Sequence, residues 1–207
     1  MQCCRYMQCK TSDPGVDFEG SARPLLVGLL AVQIFLGYEW LMSGLSKVLA
    51  RDFAGGLAGQ LGDLSKDQSG WYKSFLDGIV IPNGQLFGYL VMIGELAMGV
   101  ALIAAALIWL TRWSVLGVGA RQLLLGVVVA SGVVAILLNI NFHLANGATH
   151  PWLLAADPFG EGVDLDSLMP IIQAIISVVA FAFWQRVRAV RPATLTITAV
   201  AAPVAGS

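Results

Sequence analysis

Two carboxylic acids stand inside long apolar runs of this sequence, Glu39 within residues 25–46 and Glu95 within residues 86–110. A charge in hydrocarbon is expensive, so such residues face a bundle interior or a wet cavity and mark proton or substrate pathways. Glu39 lies eight residues before Lys47 and Glu95 nine after Leu86. At 1.5 Å per residue, that puts both about 12 to 14 Å below the same ends of two antiparallel helices. Two carboxylates at one depth in a low dielectric repel, which favours a retained proton on at least one of them. Glu95 and Glu39 are therefore the candidate catalytic groups, with a proton available for transfer.

Other polar side chains converge on the same level. Glu39, Ser43 and Lys47 recur at i, i+4 and i+8 and so share one helix face. Ser131, Ala135, Asn139 and His143 do the same on a later run, and Gln173 with Ser177 forms an i, i+4 pair on the last. Lys47, Asn139, Asn141, His143 and Gln173 are the candidate substrate-binding residues, as hydrogen-bonding partners or, for Lys47, as a cation at the mouth of a pocket. Gly37 with Gly44, and Gly88 with Gly99, allow helix backbones to approach closely around the carboxylates. Each polar group also has a plainer reading. Glu95 as a protonated carboxyl bonds a neighbouring helix, Glu39 pairs with Lys47 or a tryptophan N–H, and Lys47 snorkels to the interface. Asn139, Asn141 and His143 form a helix C-cap and exit turn.

No metal site is expected. His143 and His150 are the only histidines and both fall at or beyond the end of a span, which leaves no buried pair for a haem. Paired carboxylate–iron chemistry would call for Glu-x-x-His on facing helices, and the sequence has none. Cys3, Cys4 and Cys9 crowd the first ten residues without CxxC spacing, and their role is open.

The elements that position these residues follow from composition. Of 207 residues 57% are hydrophobic and 12% charged, too few charges to coat a soluble domain of this size. The net charge of −1 gives no basic excess for a nucleic-acid partner. Apolar runs at about 25–46, 86–110, 122–140 and 168–185 approach the roughly 20 residues that cross a hydrocarbon core, and none alternates like a strand. The expected fold is all-α, an integral membrane four-helix bundle with its spans in residues 23–188. Residues 1–22 and 189–207 are then tails, and 47–85 and 141–167 are outer loops. Arg5, Lys10, Arg23, Arg112, Arg121, Arg186, Arg188 and Arg191 fall on one side, against four basic residues on the other. The positive-inside rule makes that side, with both termini, cytoplasmic. The expected location is a bacterial plasma membrane. In the first loop Phe53, Leu57 and Leu61 recur at near-helical spacing ahead of an aromatic group, Trp71, Tyr72 and Phe75, which predicts a short helix and then an interfacial anchor. The third loop is turn-rich and acidic, and reads as a folded cap.

On these residues the chain resembles the DoxX/DoxD family of small four-helix membrane proteins, which includes the membrane subunit of thiosulfate:quinone oxidoreductases. Gly44-Leu-Ser-Lys47 looks like the family's Gly-x-x-Lys, Glu95-Leu-Ala-Met-Gly99 like its Glu-Leu-x-x-Gly, followed by Thr111-Arg112, and Asn139-Ile-Asn141-Phe142 like its Asn-x-Asn-Phe. The likeness runs from about Arg23 to Arg188. Trp109-Leu110 stands where a Gly-rich exit is common, and the cysteine-bearing N-terminus has no counterpart. The resemblance implies a subunit that passes electrons from thiosulfate or another reduced sulfur donor on the outer face to a membrane quinone, which is a substrate. Membrane lipid, quinone and a second redox or accessory subunit are the implied partners, because the chain shows no GxGxxG and no cysteine cluster to carry electrons itself. The alternative is a non-catalytic anchor or assembly factor for an extracytoplasmic redox enzyme, docking through its outer loops. A proton-coupled transporter is a third reading, opposed by polar groups that gather on one side of the bundle rather than crossing it.

Overall fold

The four apolar runs are helices, and each continues past the limits that hydropathy alone sets. The computed structural model describes residues 16–145 and 165–189, with side chains described over 24–145 and 168–189. In chain order the helices are α1 (Val16–Leu49), α2 (Phe53–Ser65), α3 (Gly70–Phe75), α4 (Gly84–Arg112), α5 (Val118–Ala145) and α6 (Leu165–Ala189). A π-helical turn, Leu76–Val80, and a 3-10 turn, Ile81–Asn83, join α3 to α4 without a break. No strand occurs among the described residues. Four stretches, Pro24–Leu49, Gly70–Val115, Val118–Ala145 and Leu168–Ala189, are long and apolar enough to cross a membrane. Their outward faces carry Phe35, Ile93, Leu123 and Val178, all exposed, so the outside of the bundle is as apolar as its inside.

The interior has two parts. Leu36, Trp40, Met98, Leu102, Leu125 and Ile176 anchor the main core between the long helices. A smaller core of Tyr72, Leu76, Val80 and Ala145 lies where α3 and the π turn meet the end of α5. The long helices associate as two pairs, α1 with α4 and α5 with α6, and α4 touching α5 joins the pairs.

Glycine makes the α1–α4 contact. A Cβ at Gly99 would stand 2.5 Å from the Leu41 nitrogen, and one at Gly44 would stand 2.8 Å from the Leu96 nitrogen. The two backbones are therefore in direct contact, the close approach that small residues allow where lipid offers no hydrophobic drive to associate. Gly84 and Gly88 do the same for α2, whose Ala58 and Ala54 rest on α4.

The region after α1 departs from the expected loop. The chain reverses at Arg51, whose φ of 58° lies in the left-handed region, and α2 folds back onto α4. The short helix expected around Phe53, Leu57 and Leu61 is present as α2. The aromatic segment that follows is helical, with Tyr72 buried and Trp71 exposed. Polar side chains fasten this cap to the bundle. Gln68 Nε2 donates at 3.1 Å to the Ala145 carbonyl, which the last turn of α5 leaves without an intrahelical partner, and Tyr72 Oη donates to the Asn141 carbonyl at 3.1 Å. Lys73 Nζ donates to the Ser65 carbonyl at 2.6 Å and closes α2 in the same way.

One further expectation is corrected. α1 begins at Val16, with its membrane-length stretch from Pro24, and α5 runs to Ala145, past the expected limit of 140. Asn139, Asn141 and His143 therefore lie within a helix rather than in a cap and exit turn: residues 141–145 continue the same 3.6-residue pattern. Cys3, Cys4, Cys9, His150, most of the acidic third loop and the C-terminal tail lie outside the described residues.

The glycine contact gives a direct test. Gly99→Ala should lower α1–α4 stability by about 2 kcal/mol through overpacking, whereas Gly94, with nothing within 4 Å of an added Cβ, should accept alanine with no loss. Thermal unfolding of both variants in detergent separates the two cases.

Candidate functional site

The close approach of α1 and α4 sets the geometry of the ionisable groups. Lys47, in the last turn of α1, reaches across to Glu95 near the middle of α4. Its Nζ donates to Glu95 Oε1 at 2.9 Å and Oε2 at 2.7 Å, and to Ser43 Oγ at 2.8 Å. The three ammonium protons thus have three acceptors. Glu95 is fully buried and the Lys47 side chain is 19% exposed, so the pair sits where water no longer screens it. The Phe53 ring of α2 covers the ammonium from the side, 5.5 Å from its centroid.

A cavity of about 330 Å³ opens beside this pair. Glu39, Trp40, Ser43 and Lys47 of α1 form one wall, α2 closes a second with Phe53 and Leu57, and Asn139, Phe142 and Met169 of α5 and α6 form the rest. The expected stripe of Glu39, Ser43 and Lys47 is therefore real and faces a single space. The carboxyl on that wall is Glu39. Glu95 lies behind Lys47, and its two oxygens are engaged by the ammonium rather than opposed to a second carboxylate.

The remaining candidates divide. Asn139 lines the cavity, and its Nδ2 donates to the Ala135 carbonyl at 3.0 Å, one turn back along its own helix. Asn141 is exposed, donates to the Leu137 carbonyl at 2.7 Å and belongs to a second cavity described below. His143 is buried on the same α5 face as Asn139 and Ser131. Gln173 is 2% exposed and lies one turn along α6 from the cavity residue Met169, with Ser177 buried one turn further. Neither polar atom of the Gln173 side chain has a hydrogen-bond partner among the described residues.

Trp40 was not among the sequence candidates as a binding group. Its indole ring is buried in the main core, it lines the cavity, and its Nε1 has no acceptor among the described residues. A buried donor without a partner costs free energy unless something accepts from it. The signal in the sequence is only adjacency to Glu39. The Ser43 hydroxyl and the Glu39 carboxyl offer hydrogen bonds to one small polar group, whereas the Trp40 N–H is closed off from the open space. Ser43 is a sharpened donor, because its oxygen already accepts from a cation. Among the described residues, no group of three or more His, Cys, Asp and Glu side chains is placed to hold a metal ion.

Compared with family models, curated proteins and solved structures, the chain matches none. The site is therefore argued from its own geometry.

Removing one member of the ion pair leaves a buried, uncompensated charge. Lys47→Met should destabilise the protein by about 3 to 5 kcal/mol. The double variant Lys47→Met/Glu95→Leu should recover most of that loss, and a double-mutant cycle of unfolding measured in detergent reads the coupling directly.

Proposed function

We propose that this chain is a bacterial plasma-membrane protein, the membrane subunit of a quinone-linked oxidoreductase, with the quinone ring bound in the cavity beside Lys47 and Glu95. The observation that carries the reading is one cavity of about 330 Å³ on whose wall Glu39, Trp40, Ser43 and Lys47 stand together. A neutral ring with two carbonyl oxygens suits it. The cavity and the ion pair behind it hold one ammonium and two carboxyl groups, so no excess positive charge favours a free anion there. The Ser43 hydroxyl and the Glu39 carboxyl instead offer donors to a carbonyl.

Reduction of a quinone to a quinol takes up two electrons and two protons. Glu39 faces the cavity and can hand a proton to a carbonyl oxygen as charge builds on it, then be reprotonated through the cavity mouth. Glu95 acts at one remove, holding Lys47 and through it the Ser43 hydroxyl. By the resemblance to DoxX/DoxD proteins the electrons come from a reduced sulfur compound, two thiosulfate ions giving one tetrathionate and two electrons, delivered through a second subunit.

Orientation with both termini cytoplasmic is part of the proposal. At the end of the bundle opposite Lys47, Arg121 stacks 5.0 Å from the Trp113 centroid and Arg188 5.3 Å from that of Trp184, while Trp109 and Trp113 lie parallel at 3.8 Å. Basic residues paired with tryptophan are what the cytoplasmic interface of a bilayer selects. The anchor reading has one observation in its favour, the exposed Trp71 on the cap, a side chain suited to an interface or to a docked protein.

In membranes containing the chain and its electron-donating partner, Glu39→Gln should lower thiosulfate-dependent quinone reduction roughly a hundredfold, in the range that a lost general acid removes, with the protein still folded. Unchanged turnover takes Glu39 out of the mechanism. Separately, Cys3 and Cys9 should resist an impermeant thiol reagent in intact cells and react after the membrane is opened; labelling in intact cells reverses the topology.

A further inference from the structure

A second cavity of about 230 Å³ lies under the cap, bounded by the π turn, α2, α3, α4 and α5. It is more apolar than the first, whose polar groups are gathered mainly on its α1 wall. Phe75, Leu76, Val80, Phe87, Val91 and Leu138 make up most of its wall, with the Tyr72 ring, whose hydroxyl is turned to the Asn141 carbonyl. It is not remote from the first cavity. Leu57, Leu61, Phe142 and Ala145 line both, so a single layer of side chains divides a chamber with one polar wall from an almost wholly apolar one.

That arrangement has a direction. The polar groups, Glu39, Ser43 and Lys47, sit on the α1 wall of the first chamber, and the apolar one begins on the far side of Leu61 and Phe142. We infer that the two chambers form one site for a single-chain amphiphile, whose compact uncharged head hydrogen-bonds the α1 wall and whose hydrocarbon tail passes Leu61 and Phe142 into the chamber beneath the cap. The inference rests on the quinone reading of the first cavity and adds to it the place of the tail. The π turn contributes to this chamber directly: Leu76 and Val80, both buried, bound it from one side. Widening the helix there is what lets α3 continue into α4 while leaving room between the cap and α5. The hydrogen bonds from Gln68 and Tyr72 to the end of α5 hold the roof in place over the tail.

The test uses the full chain in detergent and two probes, a tail-less dimethoxy-methyl-benzoquinone and the same ring with a decyl tail, with binding read by quenching of tryptophan fluorescence. Val91→Phe and Leu138→Phe fill the apolar chamber from opposite walls without touching the first cavity, so one serves if the other fails to fold. The wild type should bind the tailed ring at least roughly tenfold more tightly, since each buried methylene adds affinity. Either variant should bring the tailed ring down to the affinity of the tail-less one and leave the tail-less ring unchanged. If both folded variants keep the full preference for the tail, the tail does not enter the chamber and the inference fails while the quinone reading stands. If the chamber holds a membrane acyl chain instead, the variants release co-purified phospholipid and change neither affinity, which also overturns it. If neither ring binds the wild type, the quinone reading falls and takes the inference with it.

Discussion

The ion pair between Lys47 and Glu95 is the constraint around which this bundle is built. A carboxylate with no exposed surface is tolerable only when a cation meets it with good geometry and both oxygens are satisfied. Lys47 meets both oxygens, and it spends its third proton on Ser43. For that reach to work the α1 and α4 backbones must touch, which explains why Gly44 stands against Leu96 and the Glu95 Cβ, and Gly99 against Leu41. The pair also sets the register of two helices, together with the buried Gln33 amide of α1, which donates to the Leu102 carbonyl of α4 at 2.9 Å. An apolar interface tolerates sliding by a turn, whereas a slide here would strand a charge.

The cap follows from the same region. α1 ends just beyond Lys47, and the reversal at Arg51 sends α2 back across α4, where Gly84 and Gly88 receive it. Phe53, at the start of α2, lands over the ammonium. A lysine near a helix end that would otherwise reach for water is thereby enclosed on one side and left to border a cavity on the other. Gln68 meets the terminal Ala145 carbonyl, which α5 needs satisfied in any case, and Tyr72 adds a second hydrogen bond to the Asn141 carbonyl one turn earlier.

Chemically, the arrangement divides the work of the two carboxylates. Glu95 is a fixed counter-charge, buried and doubly engaged. Glu39 faces the open space, beside a hydroxyl polarised by the ammonium. A pair of like acids with different surroundings is a familiar way to obtain two roles from one residue type. The cavity with one polar wall and the more apolar one beside it share Leu57, Leu61, Phe142 and Ala145.

By itself the sequence determined the helical class, the four apolar runs, the common face of Glu39, Ser43 and Lys47, the short helix at Phe53 to Leu61 and the shared face of Gln173 and Ser177. Each of these is a matter of period along one chain segment: hydropathy over about 20 residues, or side chains recurring at i and i+4. Only the tertiary structure decided which group Lys47 meets, which carboxyl faces a cavity, that Trp40 lines it, and that Asn139 to His143 continue a helix. Those outcomes depend on how two helices are rotated and how near they come. Matching depths along the chain made Glu39 and Glu95 look like a repelling pair, because depth is local and rotation is not. The apolar chamber was illegible for the same reason. Its walls come from four helices and a π turn, and no spacing within any one of them records the space left between them.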